Sequence, residues 1–335
     1  MDKGNIKLGT SLFSFAYEWN SGKYTLENMF RKTRELNLGR GIEIIGFQSI
    51  KGFPFISEKQ VHEIKNLLDV YEFEPVCLGA NVDVAIQRGK LFSVDQTVDY
   101  LKPQIDAAQK LGFPVLRVQM TAKPEVMQKL VSYAESAGVK LGMELHTPYD
   151  VDHPSVLKLR EIYDKVDSPY LGFIPDMGTS MREIPEALLN SFKNVGVTDE
   201  MIEITKEIWQ KELPTPKKFT ALSISLKPLE ATPIQIGRLN MAFSMNGRQP
   251  IEKWAEVIPR TVHLHGKFYG FDENGDEPSI DYFKVFKVFI EGGYNGFISS
   301  EYEGSAFTSE FSAFDQVVKQ HRLFNRILKS ISSDI

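Results

Sequence analysis

The chain has 335 residues, 42% of them hydrophobic and 25% charged, which is a globular composition with enough apolar content for a substantial core. Its formal net charge of −5 excludes the basic footprint of a nucleic-acid binder. A single cysteine, Cys77, excludes an internal disulfide, and no apolar run approaches the about 18 residues that a membrane helix needs. The opening MDKGNIKLGTSLF lacks the basic and apolar regions of a secretory signal, so a reducing, cytoplasmic setting is expected.

In chain order, short apolar runs alternate with segments of helical period. Ile6–Phe13 reads as a strand and Thr25–Leu36 as a helix; Gly41–Ile45 and Ser57–Tyr71 repeat the pair, followed by Glu74–Gly79 with Val94–Leu111. Val115–Gln119 leads to Lys123–Ala137, Lys140–Leu145 to Pro154–Val166, and Tyr170–Pro175 to a long, irregular interval. Thr261–His265 precedes Ile280–Glu291, and Gly296–Glu301 precedes Ser309–Ser330. Eight strands, several of them nearly continuous in apolar residues and alternating with helices, predict an α/β chain folded as a single (β/α)₈ TIM barrel over 1–335, with a doubly wound open sheet as the rival. Pro124 suits a helix start, and Gly112, Gly138 and Gly292–Gly293 suit helix ends.

The interval after the sixth strand is too long for one loop and helix. Residues 182–256 read as a largely helical insertion on the catalytic face, a lid or a platform for a partner. Within it Glu186–Phe192, Asp199–Gln210 and Pro250–Val257 look helical, whereas Leu213–Lys218 and Ala231–Gly237 look broken by Pro or Gly.

Polar groups gather at the ends of strands five to eight, where this fold builds its active sites. KLGMELH offers Glu144 and His146, and YLGFIPDMG offers Asp176. RTVHLHGK offers His263, His265 and Lys267, and GFISSEYEG offers Glu301 and Glu303. Carboxylates converging on one rim repel unless a cation neutralises them. Two Glu, one Asp and one His form a mostly hard donor set, which favours Mn²⁺ and leaves Co²⁺, Fe²⁺, Zn²⁺ and Mg²⁺ open.

This order of residues resembles the xylose isomerase-like barrels, a superfamily of sugar isomerases, epimerases and endonucleases. The resemblance implies Glu144, Asp176, His265 and Glu301 as metal ligands, His263 as a substrate or supporting residue and Glu303 as structural. The longer strings GIEIIGFQ, EPVCLGAN, GMELHTPYDVDHPSV and SPYLGFIPDMG resemble the large subunit of bacterial C-glycoside deglycosidases. That narrower resemblance implies cleavage of the sugar–aglycone carbon–carbon bond of 3-oxo-C-glycosides, with a small β subunit in a hetero-oligomer. Many epimerases of the superfamily carry His three residues after the strand-six Asp, where this chain has Thr179.

Residue chemistry then suggests roles. A metal-stabilised enediolate could form when His146, on the same side as Glu144 by strand alternation, removes a proton; alternatively His146 only hydrogen-bonds a ligating carboxylate. Reprotonation of the enediolate gives an isomerase or epimerase, and expulsion of the aryl carbon gives a lyase. Lys267, His263, Gln119 and Tyr149 are candidates for holding the sugar. Phe47, Phe53, Phe55, Tyr149, Phe268 and Tyr269 are candidates for stacking on an aglycone, or are core. A non-catalytic sugar-binding barrel is the third reading, and converging carboxylates argue against it.

Overall fold

The computed structural model describes residues 4–86 and 88–333. Its strands are β1 (Asn5–Ser11), β2 (Gly41–Ile45), β3 (Glu74–Gly79), β4 (Val115–Val118), β5 (Lys140–Leu145), β6 (Leu171–Pro175), β7 (Leu264–Phe268) and β8 (Asn295–Tyr302). All ladders are parallel, in the order β6-β5-β4-β3-β2-β1-β8-β7. Two isolated parallel bridges, Phe173 with Thr261 and Asp176 with His265, bring β7 back to β6. The sheet is therefore a nearly closed barrel with flanking helices, and the open doubly wound alternative falls away.

Local chemistry explains the helix limits. Ser57 and Ser93 each accept the backbone N–H three residues on, while Gln60 and Gln96 reach back to them, closing capping boxes on helices Glu58–Val70 and Val94–Leu111. Gly112 and Gly138 end their helices at φ +85 and +69, where a side chain would be strained. Pro124 occupies the first turn of Pro124–Ala137, where its missing N–H costs nothing.

The structure moves one strand. β7 begins at Leu264, not Thr261, and runs through Gly266 and Lys267, which look like a strand end in sequence. A Cβ on Gly266 would press to 3.2 Å on Ile298 and Phe324, so glycine lets this strand lie close to β8 and the C-terminal helix. Lys267 can be buried there because carboxylates meet its ammonium.

Between β6 and β7 lie the helices Glu186–Lys193, Asp199–Gln210, Thr215–Ser225 and Pro233–Met245, then the 3₁₀ turns Ile251–Glu256 and Ile258–Arg260. The segments read as broken by proline in fact open helices. Pro216 and Pro233 lie in first turns, and Thr232 with Gln235 closes a third capping box. Conversely, Pro250–Val257 is not an α-helix. Leu188, Phe192, Trp209, Leu222, Leu239 and Phe243 are buried in the same apolar cluster as the barrel and its helices.

A small separate cluster of Val76, Cys77, Val115, Ile174 and Phe297 lies apart from that core. Residues two apart on a strand share a face. Val115 thus shares its face with Arg117, and Phe297 with Ser299 and Glu301, so apolar residues occupy the barrel interior below a polar group of side chains.

Candidate metal centre

Each polar side chain is positioned by an adjacent strand. Glu144 is the penultimate residue of β5, Asp176 directly follows β6, His265 is the second residue of β7, and Glu301 is the seventh of β8. Ligand atoms of Glu144, Asp176, His265 and Glu301 all lie within 4.8 Å of one another, and all four residues are buried. His265 Nδ1 stands 2.8 Å from Glu144 Oε1 and 3.6 Å from Glu301 Oε2.

Two charged residues missed in the sequence complete the group. Arg117 of β4 donates from Nη1 to Glu144 Oε2 at 2.8 Å. Glu43 of β2 is fully buried, with Oε1 3.2 Å from His265 Nε2 and Oε2 3.3 Å from His263 Nε2. The signal was available: a lone charge inside GIEII or VLRV, strands covered on both faces, is costly without a partner. His263, expected near substrate, is buried with its Nε2 3.0 Å from Ser299 Oγ. Lys267 is likewise buried, with Nζ 2.9 Å from Asp176 Oδ2, 3.0 Å from Glu303 Oε1 and 3.8 Å from Glu301 Oε2.

The electrostatics are unbalanced. The carboxylates of Glu43, Glu144, Asp176, Glu301 and Glu303 outnumber the permanent cations Arg117 and Lys267. Burial pushes the Glu301 carboxyl up to about 8; Asp176 and Glu144 add to that rise while His265 and Lys267 oppose it. Burial also raises Glu144, but the Arg117 charge and the His265 hydrogen bond outweigh it and hold that carboxyl well below the usual range. For His265, burial lowers the imidazole, yet Glu43, Glu301 and Glu144 carry it well above its ordinary value.

Two buried oxygens, Asp176 Oδ2 and Glu301 Oε2, have no hydrogen-bond partner; Lys267 lies at ion-pair distance from Asp176 but outside hydrogen-bond angle. Unpartnered carboxylate oxygens beside an imidazole nitrogen, with excess negative charge, form a donor set that suits a divalent cation. The residues fit.

The remaining candidates lie further out. His146 follows β5, and its Nδ1 is 2.8 Å from the Thr147 carbonyl oxygen. A carbonyl can only accept, so Nδ1 carries the proton and Nε2 the lone pair when the ring is neutral. Gln119 and Tyr149 are half-buried beyond β4 and β5, and the Tyr149 ring meets His153 edge-on at 4.8 Å. Thr179 donates to the Leu145 carbonyl at 3.2 Å. Of the aromatic residues, Phe53 and Phe268 are core; Phe268 lies inside β7 because that strand starts later than expected. Tyr269 is buried just beyond β7, whereas Phe47 and Phe55 are exposed.

A nearly closed parallel barrel with polar side chains gathered from β5 to β8 defines the class, and the family described as xylose isomerase-like TIM barrel matches residues 30–194. A 3'-dehydrocarminate deglycosidase alpha subunit from Microbacterium sp is 35% identical over 98% of this chain and 97% of its own. A C-glycoside deglycosidase alpha subunit from Microbacterium trichothecenolyticum is 35% identical over 92% of this chain and 86% of its own. The chain belongs to this family of deglycosidase alpha subunits. The crystal structure of D-allulose 3-epimerase from Methylomonas sp. shares the fold, with TM-score 0.55, 14% identity, and coverage of 98% of this chain and 100% of that one.

Proposed function

We propose that this chain is the catalytic subunit of a metal-dependent lyase that cleaves the carbon–carbon bond between sugar and aglycone in 3-oxo-C-glycosides. The observation that carries it is the convergence of Glu144, Asp176, His265 and Glu301, in a chain whose relatives at 35% identity are named 3'-dehydrocarminate deglycosidase and C-glycoside deglycosidase alpha subunits. Those four residues would hold the cation, with Mn²⁺ favoured by the hard donor set. When bound, the cation supplies a Lewis acid for the sugar carbonyl and so acidifies the neighbouring C–H.

The protein's residues do the rest. Arg117 fixes Glu144, and Lys267 holds Asp176 and Glu303. Glu43 receives the far side of the His265 ring. His146 Nε2 takes the proton from the carbon between the carbonyl and the anomeric centre. The electron pair left behind becomes a carbon–carbon double bond as the bond to the aryl carbon breaks. The same proton then goes to that aryl carbon, so the step needs no external oxidant or reductant. Gln119, Tyr149 and His263 complete the proposed sugar-holding set, with His263 acting from behind through Glu43 and Ser299.

The relatives' printed names, alpha subunits, support a β partner in a hetero-oligomer, which we take to be small. We read 1–335 as one barrel domain, with 182–256 inserted on the catalytic face as its lid or docking platform. Among the described residues, no helix is long and apolar enough to cross a membrane.

The test is incubation of the Mn²⁺-loaded chain, alone and with any small protein encoded beside it, with a 3-oxo-C-glycoside and with free ketoses. Aglycone released by the complex is the expected result. Ketose turnover by the lone chain, without aglycone release, would instead establish a sugar isomerase or epimerase. Against that alternative, the position where many epimerases place histidine holds Thr179, whose hydroxyl is spent on the Leu145 carbonyl.

A further inference from the structure

A second feature lies beyond the ends of β7 and β8. The segments following these strands, with helix Glu186–Lys193 and the first turns of helix Ala313–Ser333, line a cavity of about 520 Å³. That volume lies within the usual range for a small organic ligand. Neither the four proposed metal ligands nor Lys267 or His146 line it, so it is a compartment of its own.

Its wall offers oxygens without donors to meet them. Tyr269, Glu277, Ser279 and Gln316 line the cavity, each at most 3% exposed, and each has an oxygen without a partner: Oη, Oε1, Oγ and Oε1. Among the described residues, no buried side-chain nitrogen of the lining is left in the same state. Glu277 is fixed from behind, because its Oε2 accepts the Ile280 N–H at 2.6 Å, which leaves Oε1 to the cavity. A carboxylate and an amide carbonyl only accept, and the two hydroxyls can do so, so a ligand with several N–H donors is what satisfies this wall.

Charge and apolar surface point the same way. Glu186, Asp272 and Glu310 are exposed in the lining, and Lys319 is its one cation among the described residues. Phe271, Phe307 and Phe311 supply aromatic faces, and the Lys319 ammonium already stands 6.0 Å from the centre of the Phe311 ring. It reaches none of the four oxygens, which stay unpartnered. Among the described residues, the cavity carboxylates do not converge as those of the metal centre do, so an ammonium on an apolar body suits the wall better than a bare metal ion.

We propose that this cavity binds an organic ammonium ion, its N–H groups donating to Glu277, Ser279 and Gln316 and its apolar body lying against Phe307 and Phe311. The assignment goes beyond the lyase reading and does not depend on it. Burial pushes the Glu277 carboxyl up to about 8, with the Ile280 N–H and Arg182 opposing and Glu183 adding to the rise. Glu186, Asp272, Glu310, Lys319 and the Tyr269 phenol are the other titratable groups of the wall. A carboxyl so raised is mostly protonated at neutral pH. An ammonium beside it favours the ionised form, so binding expels that proton and tightens as the pH rises through 8.

The experiment is calorimetric titration of the full chain with phenethylammonium and, at the same size without charge, phenethyl alcohol. The cation is expected to bind, and the alcohol to bind at least about tenfold more weakly, the scale of a charge-assisted hydrogen bond. Heats measured in phosphate and in MOPS are expected to differ by about one expelled proton at neutral pH. Glu277→Gln is expected to abolish that proton and to weaken the cation about 10- to 100-fold, and Phe307→Ala to weaken it about three- to fivefold. Lys319→Gln, at an exposed position where misfolding is no concern, removes a competing charge and is expected to tighten the cation about two- to fivefold. Manganese affinity is expected to be the same in all three variants. No binding of the cation, equal binding of the alcohol, or an affinity unchanged in Glu277→Gln or in Lys319→Gln overturns the assignment.

Discussion

Glu43 and Glu301 show how much depends on single buried carboxylates. Glu301 is held by β8 with one oxygen unpartnered and its carboxyl pushed up to about 8, so it is the member of the cluster most in need of a positive neighbour. Glu301→Gln replaces the proposed ligating carboxylate by an amide at nearly constant volume. Manganese binding is expected to fall at least about a hundredfold and aglycone release to vanish with it; full turnover by metal-stripped protein would remove the cation from the scheme. Glu43 touches His265 at Nε2, opposite the nitrogen that faces the cluster. It fixes which ring nitrogen is free, and Glu43→Gln is expected to weaken the metal about 10- to 100-fold while the far-ultraviolet circular dichroism stays native. Unchanged affinity would reduce Glu43 to a core residue. For His146→Ala the expectation is reversed: metal content is kept, and the rate drops on the order of a hundredfold or more. Equal rates would take the proton transfer away from His146.

At the scale of elements, the long β6–β7 connection is the least ordinary part. Its helices are bound to the barrel by shared burial and by backbone contacts close to the site. Gly247 donates to the Gly178 carbonyl, Met181 to the Gly247 carbonyl, and Trp209 Nε1 to the Asn246 carbonyl. Gly178 itself donates to Asp176 Oδ1 at 2.7 Å, so the connection is one residue removed from a proposed ligand. Phe243→Ala, in the last of these helices, opens a cavity in the common core and is expected to cost about 3–5 kcal/mol in urea unfolding. A single cooperative transition displaced to lower urea is the expected form. A separate early transition, with the barrel unaffected, would show instead that these helices unfold on their own.

For the whole molecule, acid should be the weak side. His321 is buried in the C-terminal helix, with Nε2 3.3 Å from Thr10 Oγ1, and burial lowers its imidazole to about 4. A folded-state value below the unfolded one, near 6.5, means that the stabilisation is fully present above that pH and is lost as the pH falls toward 4. The loss is on the order of 3 kcal/mol. The Tm of the native chain is expected to drop across this window, and that of His321→Gln to drop less; parallel curves would assign acid sensitivity elsewhere. How much of this molecule was legible without coordinates follows from the range of the forces involved. Strand–helix alternation and helix-ending glycines are local, so sequence alone determined eight strands and their alternation with helices, whereas closure into a barrel rather than an open sheet, and the place of His265 as the second residue of β7, came from the tertiary structure. Burial of charge is a long-range matter. Only the tertiary structure decided that Lys267 lies inside β7 among carboxylates, that Pro216 and Pro233 open helices of the shared core, and that Glu43 and Arg117 face the cluster. Each of these depends on partners far away in the chain, since a buried charge is tolerated only where the fold brings its counter-charge within reach.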